Sequence, residues 1–357
     1  MEALSYIIVG SGFRAEFYAR IANTYPQQFR AMFFCRSEEK AAKMRAKTGI
    51  QATTSLKECE RFKADFAVIA VNKESIADVC EEWVNYGYPV VSETPAGTSL
   101  EKLYRLWELH ENKGARITVC EQYHRYPGLT EGLDAVSEGK IGVPYSAYLS
   151  LAHDYHAASL LRRMLLVQDE AFTMRGERFR NPVVETDSRL GVVTDGQSAI
   201  KNRDIVFITF SSGKEAVYDF SGVQYRSFIR SRHLVVRGER GEWNDNLIYY
   251  MDGQSHPKRE YLMPVIREKY LSLDTQNLRD MRKTWQPELF LDTRQDEYAI
   301  ATMLFDMRDY LAGGDEIYPL KEALDDAYFW FLMDKAVLSP WTEIKSEVMP
   351  WHRGTHF

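Results

Sequence analysis

Three small residues near the start of the chain stand at a spacing that suits phosphate binding. Gly10, Gly12 and Ala15 follow a short apolar run and precede a helix-compatible segment. Gly10 permits a tight turn, Gly12 lets the backbone approach a pyrophosphate, and Ala15 lets helix and strand pack closely. Free N–H groups at a helix start attract anions, so this order of strand, glycine turn and helix predicts a dinucleotide-binding site.

The choice between NAD and NADP rests on the residues after the second predicted strand. An acidic residue about 20 positions after the glycines normally accepts both ribose hydroxyls and repels a 2′-phosphate. Here that position is Cys35, followed by Arg36 and Ser37. Arg36 and Ser37 could bind a 2′-phosphate, whereas stacking of Arg36 on adenine would suit either cofactor. The sequence therefore favours NADP without excluding NAD.

A dense polar run, His153-Asp154-Tyr155-His156, offers groups for proton transfer. A histidine with the ordinary pKa of about 6.5 can take the proton of a hydroxyl that loses a hydride, so His156 is the candidate base. Tyr155 or His153 could orient that hydroxyl or stabilise the alkoxide. Alternatively, His153 and Asp154 cap the following helix, Ala157–Leu166. Two histidines three residues apart could also bind a metal, but no cluster nearby in sequence completes a site, and we expect none.

A second polar run, Glu121–Pro127, follows the predicted strand Arg116–Cys120. It contains aromatic rings, an arginine and a histidine, which suit the binding of sugar hydroxyls. Tyr123 and His124 are therefore candidate substrate residues. The alternative is a loop packed between domains that ends at Pro127.

Alternating strands and helices in the first part of the chain must position these groups. Such alternation implies parallel β-α-β units with right-handed crossovers, and ligands bind beyond the carboxyl ends of the strands. The predicted strands are Leu4–Val9, Arg30–Cys35, Ala64–Val71, Pro89–Ser92 and Arg116–Cys120, and the helices between them include Ser37–Thr48, Ser75–Tyr86 and Ser99–Lys113.

The second part of the chain changes to strands joined by short turns, which predicts a largely antiparallel α+β sheet domain. We expect an N-terminal Rossmann dinucleotide-binding domain at residues 1–127. Residues 128–357 would form a substrate-binding and oligomerisation domain, and its final helices could pack back on the first domain. The predicted strands are Tyr145–Ala152, Ile205–Ser211, Ala216–Ser221 and Phe228–Arg237, and the helices are Leu129–Glu138, Ala157–Leu166, Thr293–Leu311 and Leu320–Lys335.

Bulk properties exclude several classes of protein. A chain of 357 residues with 45% hydrophobic and 27% charged residues is typical of a two-domain globular protein. A net charge of −6 gives no reason to expect nucleic acid or an anionic membrane as partner. No apolar run approaches the ~20 residues of a membrane span, and no signal peptide is expected before the first strand. The 4 cysteines lack C-x-x-C spacing and read as reduced thiols of a cytoplasmic protein.

With these motifs the chain resembles the Gfo/Idh/MocA oxidoreductase family, which includes glucose-fructose oxidoreductase and inositol dehydrogenase. The resemblance is carried by Gly10–Ala15, Glu93-Thr94-Pro95, Glu121–Pro127, Ser137–Gly142 and Arg237–Glu242. It implies a nicotinamide cofactor in the first domain and a sugar or polyol against the open sheet of the second. It also implies a homo-oligomer formed through the exposed face of that sheet.

The chain departs from the family pattern at two positions. Most members have Glu-Lys-Pro where this chain has Thr94 at the centre, and the lysine is usually assigned proton transfer. A threonine could at most donate a hydrogen bond. His156 matches the family histidine, but the aspartate four residues earlier is Ala152 here, and Asp154 is two residues off.

The resemblance and the strand ends together give the candidate site residues. Those for the cofactor are Gly10, Ser11, Gly12, Phe13, Arg14, Cys35, Arg36, Ser37, Val71, Asn72, Glu93, Thr94 and Gln122. The catalytic candidates are His156, Tyr155, His153 and Thr94, and the substrate candidates are Tyr123, His124, His153, Asp154 and Tyr155. Further polar candidates, each with a scaffold role as the alternative, are Arg162, Arg163, Tyr225 and Arg230.

The resulting hypothesis is an NAD(P)-dependent oxidoreductase that transfers a hydride between nicotinamide and a hydroxyl of a sugar or glycoside. Family analogy makes C3 of a hexoside a candidate position. One alternative is an NAD-dependent glycosidase that works by transient oxidation and elimination. Another is a non-catalytic dinucleotide-binding regulator, for which Thr94 and Ala152 would mark lost catalysis. The expected partner is a small carbohydrate, with no nucleic acid and no membrane.

Overall fold

The computed structural model describes residues 2–188, 191–283 and 294–352. The chain folds into two compact units, each with its own sheet. Unit 1 comprises Met1–Gln122, Glu268–Thr275 and Asp296–Ala327, and unit 2 comprises Tyr123–Arg267, Gln276–Gln295 and Tyr328–Phe357. The later part of the chain therefore contributes to both units.

The sheet of unit 1 is fully parallel. Its strands are β1 (Leu4–Val9), β2 (Phe29–Phe34), β3 (Ala52–Thr53), β4 (Phe66–Ile69), β5 (Val90–Ser92) and β6 (Ile117–Val119). They run in the order β3-β2-β1-β4-β5-β6, the order of a Rossmann fold. All six residues of β1 are buried, as expected for a central strand covered on both faces. The sequence did not predict β3, which is only two residues long.

The helices between these strands are α1 (Phe13–Thr24), α2 (Glu38–Thr48), α3 (Leu56–Phe62), α4 (Ile76–Asn85) and α5 (Leu100–Lys113). Two of them, α2 and α5, begin at a serine cap and end at a glycine. Ser37 and Ser99 each accept a hydrogen bond at 3.4 Å from the backbone N–H three residues further on, which fixes the starts of α2 and α5. Gly49 and Gly114 end the same helices in left-handed conformations, with φ of +73° and +62°.

Unit 2 contains a nine-stranded sheet in the order β16-β15-β14-β13-β7-β12-β11-β8-β17, and a separate β9–β10 pair. Its strands are β7 (Pro144–Ser150), β8 (Phe172–Val184), β9 (Asp187–Ser188), β10 (Gly191–Val192), β11 (Ser198–Phe210), β12 (Glu215–Phe220), β13 (His233–Gly238), β14 (Gly241–Asn244), β15 (Leu247–Met251), β16 (Pro257–Tyr261) and β17 (Ile344–Lys345). In the nine-stranded sheet β12 pairs parallel with β7 and the other pairings are antiparallel. The predicted fold class is confirmed.

Three predicted boundaries in unit 2 are wrong. The strand predicted from Ile205 begins at Ser198. The strand predicted from Phe228 begins at His233, because a 3-10 turn at Gly222–Arg226 and an irregular segment come first. The helix predicted from Ala157 begins at Asp154, so that His156 lies in its first turn. The sequence also missed β8, β14, β15 and β16. Polar and charged residues interrupt the apolar pattern in β8, β14 and β16.

The remaining helices complete the two units. They are α6 (Pro127–Ser137), α7 (Asp154–Leu165), α8 (Gln276–Lys283), α9 (Arg294–Leu311) and α10 (Leu320–Leu338). The predicted start of α9 at Thr293 lies outside the described residues. Within the described ranges, no helix is both long and apolar enough to cross a membrane. All four cysteines are buried and free.

One face of the unit 2 sheet is covered and the other is open in the single chain. Along β11, Val206, Ile208 and Phe210 are buried, whereas the alternate residue Phe207 is 51% exposed. Phe179 of β8 is also exposed. Because side chains alternate between the faces of a strand, these exposed rings belong to the open face.

A glycine fixes how closely α6 approaches the sheet of unit 2. A Cβ atom added at Gly132 would stand 2.2 Å from the indole ring of Trp243, which is fully buried. Only the missing side chain allows this packing, because a real Cβ cannot approach a ring so closely. The position of α6 over β14 therefore depends on Gly132.

Candidate functional site

The two motif glycines of the β1–α1 turn differ in backbone conformation and in the space around them. Gly10 has φ of +135°, and a Cβ atom there would stand 2.2 Å from the carbonyl oxygen of Ala70. Gly12 has no positive φ, and a Cβ atom there would meet nothing within 4 Å. Gly10 is thus required by the fold, whereas the space beside Gly12 at the start of α1 is open for a ligand. An anionic pyrophosphate suits such a helix start.

The residues after β2 are arranged around this turn. Cys35 is buried and its thiol points back to the carbonyl oxygen of Gly10, at 4.0 Å. Burial raises the pKa of this thiol, which therefore stays neutral. Arg36 is exposed, and the hydroxyl of Ser37 is used as the cap of α2. The guanidinium of Arg36 is exposed and can reach a ligand as a cation.

A buried carboxylate joins the end of β5 to the first turns of α1. Glu93, only 4% exposed, accepts hydrogen bonds from Arg14 Nε at 3.0 Å and from the Tyr18 hydroxyl at 2.6 Å. Burial would lower the pKa of Arg14, but the carboxylates of Glu93 and Asp296 raise it well above its ordinary value. Burial also raises the pKa of Tyr18, so it donates as a neutral phenol.

Asp296 of α9 extends this network to the end of β6. Its carboxylate accepts from Arg14 Nη1 at 2.9 Å and from the side-chain amide of Gln122 at 2.8 Å. Arg14, Glu93 and Gln122, which were predicted as cofactor residues, therefore lie in one connected cluster within unit 1. Asp296 was not predicted, because it stands 174 residues after Gln122 and no local motif marks it.

The other cofactor candidates lie around the same strand ends. Phe13 is 44% exposed and packs edge-on against Phe17. Asn72 uses its side-chain oxygen to accept from the backbone N–H of Ser75 at 3.0 Å, which stabilises the turn before α4. The partly exposed remainder comprises Ser11, Val71 and Thr94. The peptide between Thr94 and Pro95 is cis.

In unit 2, aromatic rings surround a buried histidine in the first turn of α7. His156 is 6% exposed, and its ring centre lies 4.5 Å from that of Tyr155 and 4.6 Å from that of Tyr123. The ring of His153 lies 5.1 Å away. Tyr155 in turn packs edge-on against Trp330 at 5.6 Å. Four predicted residues from two polar runs of the sequence thus form one cluster.

The short 3-10 turn Tyr123–Arg125 before α6 is stabilised by contacts of its own side chains. The ring of Tyr126 stacks on Tyr123 at 4.8 Å. His124 accepts a hydrogen bond at its Nε2 atom from Arg125 Nε, at 3.3 Å. His124 is therefore tied to its own segment, whereas Tyr123 contacts the His156 ring.

Tyrosine hydroxyls cap the start of α7. The backbone N–H of His153 donates to the Tyr225 hydroxyl at 2.9 Å, and the backbone N–H of Asp154 donates to the hydroxyl of Tyr218. His153 is the N-cap residue of α7, and its side chain makes no cap hydrogen bond. Asp154 has φ of +49°, an uncommon conformation for a residue other than glycine. Ala152, just before this turn, is fully buried.

The further polar candidates divide into different environments. Arg162 is buried on α7 and Arg230 is exposed, whereas Tyr225 contacts His153 directly. Tyr18 and Tyr218 are functional-site neighbours that sequence reasoning missed. Tyr18 stands one helical turn after Arg14, and this i, i+4 spacing could have placed it on the same face of α1.

Comparison with known proteins agrees with this geometry. Residues 4–121 match the GFO_IDH_MocA family model, described as an oxidoreductase family with an NAD-binding Rossmann fold. A search of curated protein sequences gives no significant match. Several solved structures share the fold along almost the whole chain.

One is an oxidoreductase from Agrobacterium radiobacter in complex with NAD+, L-tartaric acid and magnesium, with a TM-score of 0.69, 12% identity, and coverage of 96% of this chain and 98% of that one. Another is the WlbA dehydrogenase from Bordetella pertussis in complex with NADH and UDP-GlcNAcA, with a TM-score of 0.67, 14% identity, and coverage of 98% and 99%. A third is an NAD-binding oxidoreductase from Klebsiella pneumoniae, with a TM-score of 0.68, 14% identity, and coverage of 97% and 99%.

At these identities the structures establish a shared fold, and the family match establishes the first domain. The predicted resemblance is confirmed over residues 4–121: the chain carries the NAD-binding Rossmann domain of the Gfo/Idh/MocA oxidoreductase family.

Proposed function

We propose that the protein is an NAD(P)-dependent oxidoreductase that transfers a hydride between nicotinamide and a hydroxyl of a sugar, sugar acid or glycoside. The observation that carries the proposal is the His156 cluster of unit 2 in a chain whose first domain binds a dinucleotide. A buried histidine among tyrosines is suited to move a proton to or from a hydroxyl. In this proposal residues 1–127 bind the cofactor and residues 128–357 bind the substrate.

The nicotinamide would supply the hydride acceptor or donor, and the protein would bind it through the turn at Gly12. The open space beside Gly12 and the helix start of α1 suit the pyrophosphate. The cluster of Arg14, Glu93 and Gln122 gives the ends of β5 and β6 a fixed shape. Arg36 would contact either the 2′-phosphate of NADP or the adenine ring.

The proposed roles in unit 2 follow from burial and from the available hydrogen-bonding groups. His156 would accept the hydroxyl proton during oxidation and return it during reduction, because a neutral imidazole nitrogen is a base near neutral pH. His153 or Tyr155 would donate a hydrogen bond to the alkoxide as it forms. Thr94 keeps at most a hydrogen-bond donor where relatives have lysine.

The substrate class rests on chemistry and on relatives of the same fold. Tyrosine and histidine side chains bind hydroxyl-rich ligands through their ring faces and through hydrogen bonds of the phenol hydroxyl and the imidazole nitrogens. Two relatives were solved with a hydroxy acid and with a nucleotide-linked sugar acid. A carbohydrate substrate, neutral or acidic, is therefore proposed for this chain.

The open face of the unit 2 sheet supports a proposed homo-oligomer. The exposed rings of Phe179 and Phe207 lie among the strands of this face in the single chain. Burying them against a second copy would remove large apolar surfaces from water. The four buried free thiols are compatible with the proposed cytoplasmic location.

The proposal can be tested with purified protein and a panel of hexoses, sugar acids and glycosides. We expect mass spectrometry to identify the bound nicotinamide cofactor and near-ultraviolet absorbance to report its reduction when a substrate is added. Release of the aglycone without net cofactor reduction would instead support the NAD-dependent glycosidase. Bound dinucleotide with no product from any compound would favour the non-catalytic regulator.

A further inference from the structure

A strongly basic loop follows the 3-10 turn of unit 2. Residues 221–238 contain 4 arginines and no aspartate or glutamate, whereas the whole chain has a net charge of −6. Arg226 and Arg230 are both exposed within this stretch. We call residues 226–231 the arginine loop. A local excess of positive charge on an otherwise acidic protein attracts anions to that part of the surface.

The fold brings the arginine loop to the same end of the sheet as the His156 cluster. β7 ends at Ser150, shortly before His153, and β13 begins at His233, which pairs with Ser150. β12 runs parallel to β7 and ends just before the 3-10 turn that leads into the loop. The loop therefore connects the end of β12 to the start of β13, beside the start of α7.

The first end of the loop is tied to the segment that carries the candidate acid–base residues. The Tyr225 hydroxyl accepts a hydrogen bond from the backbone N–H of His153 at 2.9 Å. Tyr225 directly precedes Arg226, and adjacent Cα atoms are about 3.8 Å apart. The backbone of Arg226 is therefore one residue away from a side chain that contacts the start of α7.

The second end of the loop is held by the side chain of Gln224. Its amide donates to the Ser150 hydroxyl at 3.0 Å and to the Ser231 carbonyl at 2.8 Å. Ser231 directly follows Arg230 in the chain. One amide thus joins the end of β7 to the residue next to Arg230, and both arginines lie near the start of α7.

The backbone between the two arginines is held by side-chain hydroxyls. The N–H of Phe228 donates to the Thr186 hydroxyl at 2.8 Å, and the N–H of Ile229 donates to the Ser227 hydroxyl at 3.2 Å. The side chains of Phe228 and Ile229 are 73% and 50% exposed. A backbone that is ordered before a ligand arrives loses less entropy when the ligand binds.

Two carboxylates close to the loop already have other partners. Glu185, which precedes the threonine bonded to the loop, forms an ion pair with Lys201. Asp245 is hydrogen-bonded to His233 at 2.9 Å, and the same histidine is hydrogen-bonded to the end of the loop. These carboxylates are therefore occupied by groups other than the arginines of the loop.

Arg226 and Arg230 keep charges that the described part of the chain does not neutralise. Within residues 2–188, 191–283 and 294–352, no ion pair includes either arginine. Arg230 donates to the carbonyl oxygen of Ile229 beside it, at 2.8 Å. An exposed guanidinium without a carboxylate partner offers its fork of N–H donors to a carboxylate or phosphate of a ligand.

We propose that the arginine loop binds an anionic group of the substrate, so that the substrate is an acidic carbohydrate. The inference rests on the proposed function and adds a specificity-determining role for Arg226 and Arg230. Their guanidinium groups donate to the oxygens of a carboxylate or of a phosphoryl group, which carry the same negative charge. Phe228 and Ile229 offer apolar surface to the carbon skeleton of the sugar.

Calorimetric titration of the full-length protein, saturated with its nicotinamide nucleotide, tests the inference without turnover. D-glucose, D-glucuronate and D-glucose 6-phosphate share one ring and differ at C6, and the galactose and mannose sets vary the hydroxyls. We expect an acid of at least one set to bind about tenfold more tightly than its neutral sugar, as for one charge-assisted hydrogen bond. The preferred acid identifies the anion as carboxylate or phosphate. No tighter binding of any acid would overturn the inference.

Substitutions assign this preference to the loop. The double variant Arg226→Ala/Arg230→Ala should lose the preference for the acid and bind the neutral sugar as before. Arg237→Ala is the matched control, because Arg237 is an exposed arginine at the other end of β13, paired with Glu242. Arg226→Lys/Arg230→Lys keeps both charges and should retain part of the preference. A preference that survives in the double alanine variant, or that Arg237→Ala also removes, would refute the role of the loop.

Ionic strength gives a second readout that a purely structural loop would not affect. Salt weakens interactions between exposed charges, so the dissociation constant of the preferred acid should rise several-fold between about 0.05 and 0.5 M NaCl. The same constant should change little in the double alanine variant. Equal salt dependence in the two proteins would place the anion elsewhere.

Failure of the inference and failure of the proposed function give different results. An acidic sugar that binds through Arg226 and Arg230 without reduction of the cofactor would refute the proposed reaction and leave the anion site in place. Turnover of neutral sugars, equally efficient in the wild-type protein and in the double alanine variant, would support the reaction and refute the inference.

Discussion

The candidate sites of the two units are held together by different forces. In unit 1, Arg14 binds two carboxylates, Glu93 and Asp296, and the network is made of charge-assisted hydrogen bonds. In unit 2, His156 is surrounded mainly by the rings of Tyr123 and Tyr155, and tyrosine hydroxyls satisfy the backbone around it. Formal charge stabilises the site of unit 1, which we call the charge-held site. Aromatic packing and neutral hydroxyls stabilise the site of unit 2, which we call the ring-held site.

This difference matches what each site is proposed to do. Charge-assisted bonds are roughly twice as strong as neutral ones, so ion pairs can hold a binding surface in shape before an anionic ligand arrives. Aromatic pairs contribute about 0.5–1.5 kcal/mol each. Four predictions test this contrast.

The largest effect is expected in the ring-held site. Replacing His156 with alanine removes the proposed base, and turnover should fall about 10²–10⁴-fold, the usual contribution of general acid–base catalysis. Dinucleotide affinity, measured by fluorescence titration, should not change. His256→Ala is the control, because His256 is an exposed histidine of the same unit. Turnover that survives in His156→Ala would assign the base to another residue.

Substitutions at the two glycines of the β1–α1 turn should separate an effect on folding from an effect on ligand binding. Gly10→Ala forces a Cβ against Ala70 in a left-handed conformation, and should lower the free energy of unfolding by about 3 kcal/mol or more. Gly12→Ala should change it by less than about 1 kcal/mol, since the space is open. Dinucleotide affinity should nevertheless fall in Gly12→Ala. Urea unfolding measures the stability of the two variants, and calorimetric titration measures their dinucleotide affinity. Unchanged affinity in Gly12→Ala would mean that the pyrophosphate binds elsewhere.

The charge-held site should lose stability when its buried carboxylate is neutralised. Glu93→Gln keeps the shape but removes the charge that faces Arg14, and we expect a loss of about 1.5–3 kcal/mol in urea unfolding. Glu343→Gln breaks an exposed ion pair with Arg175 and should cost about 0–1 kcal/mol. Equal losses in the two variants would show that the Glu93 network is no stronger than a surface pair.

The smallest effect is expected at Arg36, which follows β2. Arg36→Ala should weaken NADP+ binding about tenfold, as for one charge-assisted hydrogen bond, while NAD+ binding changes little. Lys43→Ala, an exposed cation on the following helix α2, serves as the control. Equal weakening of both cofactors would mean that Arg36 stacks on adenine instead of binding the 2′-phosphate.

Much of unit 1 could be predicted because its signals are local. Gly10, Gly12 and Ala15 lie within six positions, and serine and glycine caps bound α2 and α5. Parallel strands place their carboxyl ends at one edge of the sheet, so Glu93 and Gln122 could be assigned to that edge from strand order alone. Asp296 could not, because its partners are brought to it only by the packing of a distant helix.

Unit 2 was less predictable because its site is assembled from separate segments. The sequence showed that the run from His153 to His156 carries groups suited to proton transfer. Its helix, however, starts earlier than the spacing of apolar residues indicates. The capping groups come from Tyr218 and Tyr225, beyond the reach of any local capping rule. Strands such as β16, in which every residue is exposed, carry no alternation from which a face could be inferred.

The tyrosine caps of α7 also limit how this protein could be re-engineered. Tyr218 and Tyr225 accept hydrogen bonds from the two amides at the start of the helix, so the left-handed turn at Asp154 is supported by residues from another part of the chain. A chimera that imports a relative's residues 152–157 alone would receive a loop without its supports. To change the substrate range of this protein, two segments should therefore be exchanged together: the start of α7, and the stretch from β12 through the 3-10 turn.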